Sequence, residues 1–270
     1  MEFFIKFFVF LLGLLVGSFL NCVIYRIEKG ESFLRGRSYC PHCRHKLLWL
    51  DLIPVLSFLF LRGKCRYCRQ KISFQYPLVE TSTAILFLLL VFFPISIDGG
   101  RTSINFGDLF FYWILVCFLI VIFIFDLKHY IIPDKVIYPA IVVSSIWYLV
   151  SGIFFNFYTR YEILNTIYSA FGAALFFGTI VLVSRGRWMG IGDIKLAFLM
   201  GLILGWPNIL VALFLAFLTG AATGVGLIAA NKKTLKSEVP FGPFLVGGTV
   251  VALFFGQNII DWYFNLLLLK

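Results

Sequence analysis

Charge is what this sequence has least of. Asp, Glu, Lys and Arg make up 13% of its 270 residues, about half the share usual in a soluble domain. Acidic residues number only 13 and histidines three, while 61% of the chain is apolar. With a mean hydropathy of +0.96, there is too little polar side chain to cover a water-facing surface. A water-soluble enzyme is excluded, and a polytopic membrane protein is predicted. The first apolar run also lacks an A-x-A-type cleavage site, so it reads as a retained helix and not as a signal peptide. No convincing internal repeat is visible.

The net charge of +10 does not point to nucleic acid, because the basic residues lie in loops between apolar runs. The 33 Phe fit a lipid-facing surface and indicate no reaction. Apolar runs of membrane-spanning length, about 20 residues, predict an all-α fold of about eight transmembrane helices. They fall near residues 3–25, 77–95, 109–126, 136–155, 163–183, 194–206, 208–229 and 241–266, the sixth being short. The expected organisation is a first transmembrane helix (1–25), a small cytoplasmic four-cysteine, zinc-type domain (26–76) and a membrane domain (77–270). Inside the long loop, LLWLDLIPVLSFLFLRG is too short and too interrupted by Asp51 and Pro54 to span. It is expected to be an interfacial or re-entrant segment, or else a packed piece of the loop's own small core. The loops at 26–76, 127–135, 184–195 and 231–239 hold 19 of the 23 Lys and Arg, and eight spans put all four on one face. The positive-inside rule makes that face cytoplasmic and places both termini outside.

Cys22 and Cys117 stand alone in apolar runs and read as buried small hydrophobes. Cys40, Cys43, Cys65 and Cys68 form two C-x-x-C pairs in the basic loop. A reducing compartment favours metal binding there over disulfides. Four thiolates in two close pairs suit a closed tetrahedral Zn²⁺ site, structural in kind because no coordination position stays open. His42 and His45 are near but surplus to such a shell. The metal would staple a loop too small to bury much apolar surface.

Two carboxylates end apolar helices on the expected cytoplasmic side. Asp126 closes VIFIFD, and Asp193 follows Gly190-Ile191-Gly192. A carboxylate at membrane depth is costly and marks a functional position by default. Glycine lets a backbone bend and approach a partner closely. Two carboxylates held together share a proton, so one can take a proton from water while the other polarises a carbonyl. That is aspartic-protease chemistry. Taken singly, each Asp could merely be solvated or capping. Asp134, after Pro133, rivals Asp126 but is explained as the cap of the fourth span. Lys195 either tunes the charge of Asp193 or snorkels. Glu80 has no assigned role. Asp98, Asp108, Glu162 and Asp261 read as outer-loop or helix-end charges.

Several segments carry a resemblance over nearly the whole chain: GSFLNCVIYR, CPHC, WLDLIPVLSFLFLRGKCRYC, ISFQYPLVE, DLKHYIIPD, MGIGDIKL and FGPFL. Together they resemble the bacterial prepilin peptidases (type IV leader peptidases). That family shares its Gly-x-Gly-Asp segment with presenilin-type intramembrane proteases. The resemblance implies an inner-membrane aspartyl endopeptidase that cuts the basic leader from prepilins and pseudopilins of type IV pilus or protein-secretion systems. The cut falls after a Gly, at the cytoplasmic face, just before a hydrophobic helix. Asp126 and Asp193 then take the catalytic places, with Gly190, Gly192, Lys195, Pro133 and Asp134 as motif support. Many members also methylate the new N-terminus with S-adenosylmethionine, for which the sequence assigns no binding residue. The chain departs from the family where Arg69-Gln70 replace the usual Gly after Cys68, where Phe58 replaces a Trp, and where IEKGESF replaces Leu-Pro after the first helix. None of these touches the carboxylates. Competing readings are a peptidase without methyltransferase activity, a zinc-stapled methyltransferase without protease activity, and an Asp-lined ion transporter.

Overall fold

The structure, a computed structural model, describes residues 2–32, 36–93, 106–153, 159–230 and 239–268. Asp98 and the loop lysines Lys232, Lys233 and Lys236 lie outside them. The described residues are helical, with nine α-helices: α1 Glu2–Lys29, α2 Leu56–Phe60, α3 Gln75–Phe92, α4 Phe106–His129, α5 Asp134–Ile153, α6 Arg160–Ser184, α7 Ile191–Leu204, α8 Asn208–Ala229 and α9 Gly242–Leu268. Seven of them are long and apolar enough to cross a membrane. The expected sixth span is α7, whose 14 residues reach about 21 Å, short of a hydrocarbon core about 30 Å thick. The physical reason is at its ends. Gly190 caps the start, and at the far end Gly205 adopts φ 63°, a left-handed conformation that stops the helix.

The chain divides into two compact units, Met1–Phe93 with Tyr112–Val121, and Pro94–Phe111 with Ile122–Lys270. In the first, α1 packs on α3 through glycine. A Cβ at Gly13 would lie 2.5 Å from the Ala84 Cα, and one at Gly17 would lie 2.6 Å from the Glu80 Cα. Gly13 and Gly17 are four residues apart on one face of α1, the small-xxx-small spacing that lets membrane helices approach backbone to backbone. Asn21, one turn further, is buried and donates to the Gly17 and Tyr76 carbonyls. Glu80 gains a role here. It is buried, and its Oε2 accepts the Val55 N–H at 2.7 Å, fixing a turn in which Val55 sits at φ 60°.

The interrupted apolar segment forms a 3₁₀ turn, Trp49–Leu52, followed by α2. Neither has a buried residue, and Trp49, Leu56, Leu59 and Phe60 are exposed. The segment is therefore not a packed core of the loop, and its exposed apolar ridge agrees with the interfacial alternative. In the second unit, close packing again falls on small residues. Gly201 of α7 lies against the backbone of Ala170 in α6, and Gly248 of α9 against Ala212 in α8. Glu162 is a helix-end charge as expected, closing a capping box with Thr159 at the start of α6.

Overpacking the α1–α3 contact should be costly. Gly17→Leu is expected to destabilise the chain by about 1–3 kcal/mol or to prevent its folding. Gly224→Leu, where a Cβ would meet nothing within 4 Å, should leave it unchanged. Thermal unfolding in detergent compares the two, and equal melting would refute the contact's importance.

Candidate functional site

Asp126 and Asp193 both lie in the second unit. Asp126 is in the last turn of α4, 4% exposed, and its Oδ2 accepts the Gly242 N–H at 3.0 Å. Gly242 opens α9 within Phe241-Gly242-Pro243. A Cβ at Gly242 would fall 2.5 Å from Asp126 Oδ2, so only glycine permits this approach. Proline follows without penalty, because the first-turn N–H groups of a helix have no intrahelical partner. FGPFL was visible in the sequence as the start of the last helix, but its Gly242 was not assigned to the site. The signal was the Gly-Pro pair at a helix start.

Asp193 is the third residue of α7, and its Oδ2 accepts the Gly190 N–H at 3.1 Å. The side chain thus closes the first turn, where the helix N-terminus favours negative charge. Gly190 is extended at φ −84°, and Gly192 is not among the positive-φ glycines. The freedom to bend, expected of these glycines, is therefore not used. Close approach is used, since a Cβ at Gly192 would press to 3.2 Å on the Ile132 side chain. Gly192 thereby seats the first turn of α7 against the turn that follows Asp126. Each carboxylate has one oxygen held by a backbone N–H, which leaves the other for a substrate or a water.

The support residues resolve differently. Pro133 accepts the Val136 and Ile137 N–H groups at 2.9 and 3.1 Å and so starts α5. Asp134 stands one residue inside that helix, and its exposed carboxylate is engaged by Lys195 Nζ at 2.6 Å. Lys195 also lies over the Tyr138 ring, 4.7 Å from its centroid. Its partner is thus Asp134, and the pair joins the start of α7 to the start of α5.

The four cysteines of the first unit converge, their sulfurs lying within 4.8 Å of one another. Cys40 Sγ is 3.9 Å from Cys68 Sγ, close to the roughly 3.8 Å edge of a ZnS₄ tetrahedron with bonds of about 2.3 Å. The two halves repeat one geometry. Cys40 N–H donates to the His45 carbonyl at 3.0 Å, and Cys65 N–H to that of Gln70 at 2.8 Å. Antiparallel bridges flank them, Tyr39 with Lys46 and Lys64 with Lys71. Backbone N–H groups of His42 and Cys43 point to the Cys40 sulfur, and those of Tyr67 and Cys68 to the Cys65 sulfur. Burial pushes the Cys40 thiol up to about 11. Burial acts on Cys65 too, but its N–H donors bring that thiol down to about 7. Amide donors of this kind favour thiolate, the form a metal requires. His42 and His45 are not part of the cluster, and the His45 ring packs on Tyr67 with centroids 3.7 Å apart.

Asp51, which interrupts the apolar segment, ties the connecting segment to the second half. Its side chain is 3% exposed and accepts from Arg66 Nε at 2.7 Å, Tyr67 OH at 3.3 Å and Leu48 N–H at 3.2 Å. Phe58 packs on Phe74 with centroids 5.3 Å apart. Arg69 takes φ 60° and Arg44 φ 55°, the same left-handed place in each half. An L side chain there is strained, and glycine is not.

The fold and site define a polytopic helical membrane protein with two helix-end carboxylates and a tetracysteine loop domain. The family described as Bacterial Peptidase A24 N-terminal domain matches residues 11–93, and the Type IV leader peptidase family matches residues 113–225. Three similar proteins each bear the name prepilin leader peptidase/N-methyltransferase. The one from Aeromonas hydrophila is 32% identical over 94% of this chain and 92% of its own. The one from Bacillus subtilis (strain 168) is 32% identical over 96% of this chain and 98% of its own. The one from Legionella pneumophila is 32% identical over 94% of this chain and 92% of its own. The chain belongs to the bacterial peptidase A24, or type IV prepilin leader peptidase, family. No solved structure was found to match it.

Elemental analysis of the purified chain should find one metal ion per molecule, and Cys40→Ser with Cys65→Ser should remove it. A metal-free wild type with a folded loop would refute the site. Arg69→Gly should relieve the left-handed strain, stabilising the loop domain by about 1 kcal/mol. Slower metal loss to a chelator is the readout, and an unchanged rate would count against the strain.

Proposed function

We propose that this chain is a membrane aspartyl endopeptidase that removes the basic leader from prepilins and pseudopilins at the cytoplasmic face of the bacterial inner membrane. The observation that supports the reading is that two helix-end carboxylates of one compact unit are each held by one glycine N–H, within a chain of this family. The names of the relatives support the substrate class. The basic loops support a cytoplasmic site through the positive-inside rule.

Two carboxylates at close range do not both ionise, so the pair holds one proton between them. The ionised partner takes a proton from water as the water oxygen adds to the scissile carbonyl carbon. The neutral partner gives its proton to the carbonyl oxygen. Collapse of the tetrahedral species breaks the C–N bond: the proton taken from water passes to the leaving amine, and one hydroxyl proton returns to the carboxylate that had given its own, which restores the singly protonated pair. The glycine N–H bonds hold one oxygen of each carboxylate fixed, so no side-chain reorganisation accompanies the proton transfers. The substrate's basic leader would stay in the cytoplasm, and the flexible Gly before the cut would let its strand extend between Asp126 and Asp193.

The same reading includes methylation of the new N-terminus, which the relatives' names support. S-adenosylmethionine would supply the methyl group. Cys40, Cys43, Cys65 and Cys68 would hold Zn²⁺ as a closed structural centre, which leaves the metal no position for substrate.

A gel cleavage assay in detergent with a prepilin substrate tests this. Asp126→Asn, Asp193→Asn and Gly242→Ala are each expected to lose activity by about 100-fold or more, with membrane insertion unchanged. Asp134→Asn should stay within about fivefold of wild type, since an exposed ion pair is worth about 0–1 kcal/mol. Full activity in either Asp126→Asn or Asp193→Asn would break the dyad. Loss in Asp134→Asn with retention in Asp126→Asn would move the first catalytic place to Asp134.

A further inference from the structure

One groove of the second unit remains unused by this mechanism. It runs between α6 and α8 and has a volume of about 570 Å³. On α6 it extends from Asn165 to Phe176, about 17 Å of helix. Ser169, Gly172 and Ala173 line it on that side, and Leu210, Leu213 and Phe214 on the side of α8. Tyr168, Gly172, Leu210 and Phe214 are all exposed, so the groove is open along its length and is no interior void.

Its two ends differ. The far end is closed by a reciprocal pair, in which Asn165 Nδ2 donates to the Trp206 carbonyl at 2.8 Å and Trp206 N–H donates to Asn165 Oδ1 at 3.1 Å. The polar atoms there are occupied with each other, and the lining left is almost wholly apolar. The near end reaches Phe217, whose ring centroid lies 5.1 Å from that of Phe241. Phe241 directly precedes Gly242, the donor to Asp126. The near end of the groove is thus linked to Asp126 through two packed rings and one hydrogen bond.

The geometry points to this groove as the docking site for the apolar helix of the substrate, a reading that rests on the function proposed above. In that function the hydrophobic helix begins just after the cut. A helix laid along α6 and α8 with its polar end at Phe241 presents that junction to Asp126. Gly172, exposed between the buried Ser169 and Ala173, offers the low point at which a second helix can approach closely. An acyl chain of the bilayer would also fit the apolar lining, and the crosslinking below separates it from a substrate helix.

The groove can be filled without disturbing the fold. A Cβ at Gly172 meets nothing within 4 Å, and the same holds for Gly178, which lies on the same helix but off the groove. Gly172→Leu is expected to raise KM for a full-length prepilin about tenfold with kcat little changed, the signature of lost uniform binding. Gly178→Leu should match wild type. In an Asp193→Asn background, a benzophenone side chain at Phe214 or Tyr168 should crosslink to the prepilin's hydrophobic helix. One at Leu182, exposed on α6 away from the groove, should not. Wild-type kinetics for Gly172→Leu, or labelling of lipid alone from Phe214 and Tyr168, would overturn the docking site while leaving the peptidase intact. A wild-type chain that cuts no prepilin would overturn the peptidase reading, and the docking site with it.

Discussion

Two backbone hydrogen bonds govern this structure, Gly242 N–H to Asp126 and Gly190 N–H to Asp193. A carboxylate at the end of an apolar helix lacks the water that would solvate it, so its oxygens need donors from the protein. Side-chain donors would bring counter-charge and restrict the carboxylate's acid–base range. Backbone amides at the starts of α9 and α7 supply polarity without a full charge. That solution requires glycine, because at Gly242 a Cβ would occupy the place of the carboxylate oxygen. It also requires helices to begin at the site, since only their first turns leave N–H groups free. The Gly-Pro opening of α9 follows from the same need.

The loop domain meets a different constraint. Its apolar residues turn outward in the 3₁₀ turn and α2, so it has little core of its own. Order comes from two matching cysteine turns, from Asp51 binding both the connecting segment and the second turn, and from the Glu80 bond to Val55. A metal held by four thiolates would tie the turns together where hydrophobic burial cannot. The left-handed Arg44 and Arg69 fit this picture, because a metal-fixed turn tolerates local strain that a loosely held loop would relax.

Glycine serves this chain mainly through close contact. Gly13 and Gly17 seat α1 on α3, Gly201 seats α7 on α6, Gly248 seats α9 on α8, and Gly192 seats α7 on Ile132. In a bilayer, lipid tails solvate apolar side chains as well as protein does, so helices associate through close van der Waals packing. The α6–α8 groove is the place where such packing stops. Gly172 there is exposed, and among the described residues nothing packs within 4 Å of where its Cβ would lie.

The sequence by itself determined the elements that depend on composition and local spacing. The eight apolar runs emerged as helices, seven of them of spanning length, because length and hydropathy are properties of contiguous residues. Both C-x-x-C pairs were legible, since their spacing is the ligand geometry of a small turn. The Asp126 and Asp193 segments stood out because charge is rare in this chain. Only the tertiary structure decided which group meets which carboxylate. Gly242 lies 116 residues from Asp126, and no periodicity connects them. Lys195 sits two residues from Asp193, yet its ammonium reaches Asp134 across 61 residues of sequence. Glu80 and Asp51 looked like interruptions of apolar runs until their backbone and side-chain donors came into view. Hydrophobic patterning writes helices into a sequence. Which helix ends converge depends on how the small residues let those helices pack, and that is settled only in three dimensions.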